Sequence, residues 1–465
     1  LIINPSVRPQ FQRVNTMRQL SLLFIFGVAI LGSELTVVVN GFTASPDLSS
    51  SHRQNRQRIS KSARCDIITS TFLNHIGDPK SRTCLNGWVQ ASNGEWEWEE
   101  DDPNFVPPPT ITSKATPQLP TGKLRPKQSL GQNFLKDPNT VAKMIRAFHR
   151  DATLRMSDNG MLSIIELGPG AGALTDRLVE QYGTDVLQCI EVDPRAIEIL
   201  GERHPSLVVH HADVLQVNYP AMAQKIGEEH GTIAPSLNII GNLPYYITSQ
   251  ILFALADATH VVLDDDPHRN VIDSATVTMQ WEVAQRMVAP TRCKDYGILS
   301  VVFQTYAESL QCHFKIPPTV FYPQPKVDSA LIGIHFVTPH ILQTRRLAGV
   351  RPSDFRTVVT TAFRQRRKTI RNSLKKLPHW NAPDLMDKLQ SPPLSLPQSV
   401  VEAQEQGDAF ALAQTLPEDW ASKRPEELTP GQFVEVTRLL YGTASDGIED
   451  YELGTKVWRK LKHGI

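Results

Sequence analysis

The sequence predicts an α/β fold, a parallel sheet covered on both faces, with a smaller, mostly α domain after it. Three features carry this. Short apolar runs alternate with helical patterns from residue 123 to about 337. The apolar runs are near-continuous, as strands buried on both faces are. From about 338 the pattern becomes helical and polar, with proline breaks at 378, 392–393 and 397.

The elements follow in order. In "LKDPNTVAKMIRAF", Asp137 is placed to cap a helix and Pro138 to occupy its first position. Val141, Met144, Ile145 and Phe148 then share one face. "MLSIIELG" reads as a strand, "ALTDRLVEQ" as a helix, "VLQCIEVD" as a strand, "PRAIEILGERH" as a helix and "LVVHHAD" as a strand. A helical stretch around 220–230 precedes the strand "LNIIGNL" and the helix "SQILFALAD". "DDDPHRN" is a surface loop and "SATVTMQ" a further strand. "GILSVVFQTYA" is ambiguous by residue type, but Leu299, Val302, Phe303 and Tyr306 keep helical spacing and predict a helix. "SLQCHFKI" and "VDSALIGIHF" alternate and read as a closing pair of strands. No internal repeat is seen.

Composition sets outer limits. The chain has 465 residues, 40% of them hydrophobic, with 34 prolines and a formal net charge of zero. That length suggests two or three domains. A neutral total does not exclude a nucleic-acid partner, because local clustering decides that. The five cysteines are scattered, without CxxC or His/Cys ligand spacing. Neither a zinc site nor a disulfide framework is expected, and a reducing interior fits.

Residues 1–65 read as a targeting presequence. The first residue is Leu1, not methionine, so either the sequence is a fragment or the true start lies downstream, with Met17 the candidate. Arg18 then gives a short basic region, and "LSLLFIFGVAIL" an apolar one too short to span a membrane. "SSSHRQNRQRISKSARC" is rich in Ser and Arg and lacks acids, like a transit peptide. A signal peptide followed by a transit peptide, with Phe42 near the junction, resembles the bipartite presequences of algae with complex plastids. A plastid is expected ahead of a mitochondrion, with no stable membrane association once the presequence is removed. Residues 66–122 lack periodicity and are predicted to be a disordered linker.

A nucleotide-type site is legible at the strand ends. "IIELGPGAGALT" is a strand end, a glycine turn and a helix start, in which Gly168, Gly170 and Gly172 permit a tight turn and close ligand approach. Glu166 stands at the end of that strand. Glu191 ends the next strand, where a carboxylate can accept from ribose hydroxyls, and Asp213 ends the third, where one can accept from an adenine amino group. A pyrophosphate dinucleotide remains open. S-adenosylmethionine, which lacks phosphate, suits the acidic strand ends better.

Seven motifs in order, "KQSLGQNFL", "ELGPGAGALT", "IEVD", "HADVL", "GNLPYYI", "FYPQPKVDSALI" and "FRQRRKTIRNSL", span roughly 123 to 376. Together they resemble the KsgA/RsmA ribosomal RNA adenine dimethyltransferases. The resemblance implies a Rossmann-like S-adenosylmethionine-dependent methyltransferase domain at 123–337 and a helical C-terminal domain with an extended tail at 338–465. It implies dimethylation of N6 of two adjacent adenines near the 3′ end of small-subunit rRNA, in a pre-ribosomal particle, by a monomer without a metal. It places cofactor contacts on Asn133, Leu135, Gly168, Glu191, Asp213 and Asn242, and the glycine turn adds Gly170. The loop "DATHVVLDDDPHRNVIDSA", near 257–275, and the tail beyond about 380 look longer than the family's.

At the target base, the Asn242 side-chain oxygen and the Leu243 carbonyl are expected to accept the two amino hydrogens. Pro244 fixes the bend and Tyr245 stacks on the base, while Tyr246 is expected in the core. Phe321 resembles the family's second stacking ring. "FRQRRKTIRNSLKK" carries Arg364, Arg366, Arg367, Lys368, Arg371, Lys375 and Lys376 without an acid. Read as one helix with Phe363, Ile370 and Leu374 inward, it presents a phosphate-binding face. Lys123, Arg125 and Lys127 add a basic segment. Two other readings stand beside this one: an organelle transcription factor of the same fold, and a resistance-type methyltransferase acting on large-subunit rRNA.

Overall fold

The computed structural model describes residues 84–85, 88–90, 96–98, 125–153, 161–377, 380 and 396–443. Residues 1–65, read above as a presequence, Lys123 and residues 444–465 lie outside them. Within the stretch predicted to be a linker, Cys84–Leu85, Trp88–Gln90 and Trp96–Trp98 form a small antiparallel sheet. Aromatic and β-branched residues favour extended backbone, and that local preference prevails over the acidic composition around it.

Helix α1 (Pro138–Thr153) begins as predicted. Asp137 Oδ2 accepts from Thr140 N at 2.8 Å, and Val141, Met144, Ile145 and Phe148 are buried. There follow β1 (Ser163–Leu167), α2 (Thr175–Tyr182), β2 (Leu187–Glu191), α3 (Pro194–Arg203), β3 (Val208–His211), α4 (Tyr219–His230), β4 (Leu237–Asn242) and α5 (Thr248–Ala258). Then come β5 (Ile272–Gln280), α6 (Trp281–Val288), α7 (Ile298–Tyr306), β6 (Ala307–Ile316) and β7 (Ser329–Phe336).

The strands form one seven-stranded sheet in the order β6-β7-β5-β4-β1-β2-β3. The strands β1 to β5 run parallel. β7 is antiparallel to both of its neighbours, β5 and β6, so the closing pair makes the sheet mixed. Apolar residues pack in clusters against the sheet, one around α1, β1 and β2 and another running from β4 and α5 into the C-terminal helices. Each fully buried Leu, Ile, Phe or Met contributes roughly 1.5–3 kcal/mol relative to exposure.

Two further features differ from the sequence reading. α6 was not anticipated, because "WEVAQRMV" follows β5 directly with no turn residue to announce it. The basic run is not one helix. α8 (Pro352–Phe363) ends before it, and a turn separates it from α9 (Ile370–Leu374). Tertiary bonds hold that turn: Arg366 Nη2 donates to the carbonyls of Lys294 at 2.7 Å and Tyr296 at 2.9 Å, and Ile370 N donates to Lys423 O at 2.8 Å.

The C-terminal part continues with α10 (Gln398–Glu405) and α11 (Pro430–Tyr441). α8 packs on α11 and α7, with Phe363 near Phe433 and Tyr296 at ring separations of 5.6 and 6.0 Å. Arg356 of α8 pairs with Asp257 of α5, both buried, and lies over the rings of Phe253 and Tyr306.

Candidate active site

The carboxyl ends of β1 to β4 open into one cleft of ≈ 380 Å³, the position where open α/β sheets bind ligands. The glycine turn, Glu191, Asp213, the run Asn242–Ile247 and the segment Leu130–Leu135 line it. The segment is held by a two-residue strand, Phe134–Leu135, paired antiparallel with Phe321–Tyr322.

The turn after β1 needs its glycines. Gly170 has φ +54°, and a Cβ there would stand 2.9 Å from the Phe134 ring. Its N–H donates to Glu191 Oε2 at 2.9 Å. Glu191 Oε1 accepts from Val192 N at 2.8 Å and Asp193 N at 2.9 Å. A carboxylate offers about four lone-pair sites, so Glu191 keeps one for a ribose hydroxyl. Asp213 Oδ1 accepts from Leu215 N at 2.9 Å. An uncharged nucleoside edge with donors suits these two carboxylates, whereas a pyrophosphate would meet like charge. The residues present therefore fit S-adenosylmethionine.

Glu166 is fully buried, and its Oε2 accepts from Thr175 Oγ1 at 2.8 Å. Burial pushes its pKa up to about 8. Asp193 ties the N-terminal segment down. It accepts from Gln132 Nε2 at 3.1 Å and Arg195 Nη2 at 2.6 Å, with Lys127 Nζ at 3.7 Å. Lys127 thus has a carboxylate partner beside the cleft.

At the end of β4, Asn242 Nδ2 donates to Asn133 O at 2.7 Å, and Asn242 Oδ1 accepts from Thr278 Oγ1 at 2.7 Å. Leu243 N donates to the same Thr278 oxygen at 3.1 Å. Pro244 O accepts from Thr248 Oγ1 at 2.9 Å, which fixes the bend into α5. Tyr245 is part-buried, its hydroxyl 2.5 Å from Ser329 Oγ.

The structure brings Asn133, Leu135, Gly168, Gly170, Glu191, Asp213, Asn242, Leu243, Pro244 and Tyr245 to this cleft. It corrects two expectations. Tyr246 is not in the core but 59% exposed, its ring against Gly131 at the cleft wall. Phe321 is 1% exposed and packs in the cluster around α1, away from the cleft lining. The register explains this: Phe321 lies opposite Leu135 on the core side, and Tyr322 lies opposite Phe134. Tyr322, at 45% exposure, is the ring this strand turns outward. Among the basic residues, Arg364, Arg367, Lys368, Arg371, Lys375 and Lys376 are exposed, whereas Arg366 is half-buried, bonded to the carbonyls of Lys294 and Tyr296, and stands 3.4 Å from Glu426.

Sequence reasoning missed Thr278. A signal was present: Ser274, Thr276 and Thr278 recur every second residue in an apolar strand. All three are buried, and each holds a polar side chain, Asn238, Asp151 and Asn242 respectively.

The family profile described as "Ribosomal RNA adenine dimethylase" matches residues 123–392, more than half of the chain. The chain belongs to this family. It is similar to "Ribosomal RNA small subunit methyltransferase A" of Salinibacter ruber, 37% identical over 334 residues, covering 71% of this chain and 90% of that relative. The protein of the same description from Chlorobium chlorochromatii is 37% identical over 289 residues, covering 62% of this chain and 94% of its own length. A solved dimethyladenosine transferase from Plasmodium falciparum superposes with a TM-score of 0.43 at 20% identity, covering 65% of this chain and 95% of that one. As a member of the ribosomal RNA adenine dimethylase family, the protein is an S-adenosylmethionine-dependent rRNA adenine dimethyltransferase with a Rossmann-like fold.

Proposed function

We propose that this enzyme dimethylates N6 of two adjacent adenines near the 3′ end of small-subunit rRNA, acting as a monomer on a pre-ribosomal particle inside an organelle, with the plastid favoured over the mitochondrion. The observation that carries the substrate is the 37% identity over 90% of a relative described as acting on the small subunit. The organelle rests on the composition of residues 1–65, which lie outside the described residues.

Bound S-adenosylmethionine supplies an electrophilic methyl group. The N6 lone pair is delocalised into adenine, so positioning and electrostatics must do most of the catalysis. Asn242 Oδ1 and the Leu243 carbonyl accept the amino hydrogens and favour the positive charge that grows on nitrogen as it attacks. Asn133, bonded to Asn242 through its carbonyl, joins the cofactor side of the cleft to the base side. Tyr245 offers a ring face where the unstacked base would lie. The base must leave its stack to enter, and aromatic contact returns roughly 1–3 kcal/mol per base. The exposed cations from Arg364 to Lys376 hold phosphates in this reading, supported by their density and exposure.

Primer extension across small-subunit rRNA from a knockout tests this. Loss of the stops caused by adjacent dimethyladenines is the expected result. Unchanged stops reject the substrate and favour a role in transcription or on the large subunit. Fluorescence of a full-length fusion tests the compartment.

A further inference from the structure

We propose that Thr278 is a positioning residue for methyl transfer, setting both acceptors of the target amino group without touching base or cofactor. This rests on the roles of Asn242 and Leu243 given above. Thr278 is fully buried on β5, directly opposite Asn242 in the ladder, and does not line the cleft.

The bonds around it run in one direction. Leu243 N–H can only donate, and it donates to Thr278 Oγ1 at 3.1 Å. The hydroxyl has a single proton, which is therefore free to go to Asn242, 2.7 Å away. The Asn242 oxygen faces Thr278 and accepts that proton. At the far side of the same amide lies the Asn133 carbonyl, 2.7 Å away, which can only accept. The atom facing it must be the nitrogen. The Asn133 carbonyl excludes the flipped amide, and the Thr278 proton holds the oxygen at the other side, so the Asn242 amide is fixed in one orientation. Its oxygen keeps a second lone pair for an amino hydrogen of the base. The same hydroxyl holds the N–H of Leu243, the residue whose carbonyl is the second acceptor.

The test compares Thr278→Val, which has nearly the same shape without the hydroxyl, with Thr278→Ser, which keeps it. In Thr278→Val, kcat on small-subunit rRNA should fall on the order of 10²-fold. The KM for RNA and the calorimetric Kd for S-adenosylmethionine should stay within about threefold, a split showing loss of a transition-state interaction. Thr278→Ser should return kcat to within about threefold of wild type. A Thr278→Val enzyme of normal kcat, or a serine variant as slow as valine, overturns the proposal. If the valine variant does not fold, Thr278→Ala against Thr278→Ser carries the same comparison. Crystal structures of the variants give a second, activity-independent readout. The Asn242 amide should leave the Asn133 carbonyl in valine and keep it in serine, and an unmoved amide in valine overturns the proposal. Should the wild type itself leave small-subunit rRNA unmethylated, the substrate assignment fails, and the crystallographic comparison still decides Thr278.

Discussion

Glu166 is a carboxyl group that burial keeps protonated at neutral pH, with its pKa raised from an ordinary 4.5 to about 8. Below pH 4.5 both folded and unfolded chains hold this proton, and its contribution to stability is fully present. As pH rises toward 8 the unfolded chain releases the proton and the folded one retains it, so stability is lost at up to about 1.4 kcal/mol per pH unit. Urea melts at pH 5, 6.5 and 8 should show the wild type losing stability relative to Glu166→Gln as pH rises. Parallel curves would reject the buried neutral carboxyl. Gly170 gives a second prediction. An alanine there combines positive φ, which costs about 1–2 kcal/mol, with a clash on Phe134 and displacement of the N–H that holds Glu191. Gly170→Ala should bind S-adenosylmethionine at least about tenfold more weakly by calorimetry, as 1.4 kcal/mol is tenfold. Gly183→Ala, with positive φ but nothing near its Cβ, should leave the affinity unchanged.

At the scale of elements, the hydroxyl stripe of β5 shows how polar groups are accommodated in a buried sheet. Thr276 donates to Asp151 Oδ2 at 2.6 Å, and His313 Nε2 lies 2.7 Å from the same oxygen. Burial alone would raise the Asp151 pKa, but His313 and His335 overcome it and hold the carboxylate below the usual range. This cluster fastens the last turn of α1 to β5, β6 and β7. It fits because Gly333 has no side chain: a Cβ there would stand 2.5 Å from Asp151 Oδ2. Asp151→Ala should cost about 3–5 kcal/mol in urea denaturation, as breaking a buried pair does. A loss under 1 kcal/mol would show the cluster to be dispensable. The strands were legible because each is an apolar run between turn residues, and the acidic strand ends pointed directly to the cleft. The exposure of Tyr246 and the burial of Phe321 were not legible. Both depend on how the segment from Gly131 to Leu135 meets residues far along the chain, and local pattern carries no record of that pairing. The break after Phe363 was hidden for a similar reason, since carbonyls of a distant loop capture Arg366.

Across the whole molecule, charge is divided between structure and substrate. Arg356 is spent on Asp257 inside the protein, and Arg366 on carbonyls. On the proposed reading, the exposed cations from Arg364 to Lys376 hold phosphate. Lys368→Ala should therefore lower the slope of log K for RNA against log salt by about 0.7–0.9 and leave the melting temperature unchanged. Arg366→Ala should lower the melting temperature while changing the slope less. Equal slopes for wild type and Lys368→Ala in a salt titration would remove that lysine from the RNA surface.

The short pairing of Phe134–Leu135 with Phe321–Tyr322 also bears on biosynthesis. The chain leaves the ribosome amino end first, so the cleft-lining segment emerges long before the strand that pins it. Long-range pairing of this kind must wait for its later partner. The glycine turn and the acidic strand ends can form early, but the wall over them closes only after Tyr322 has emerged. A nascent chain shorter than that lacks the partner of Phe134–Leu135, so one wall of the cleft is still unpinned while the rest of the sheet is being made.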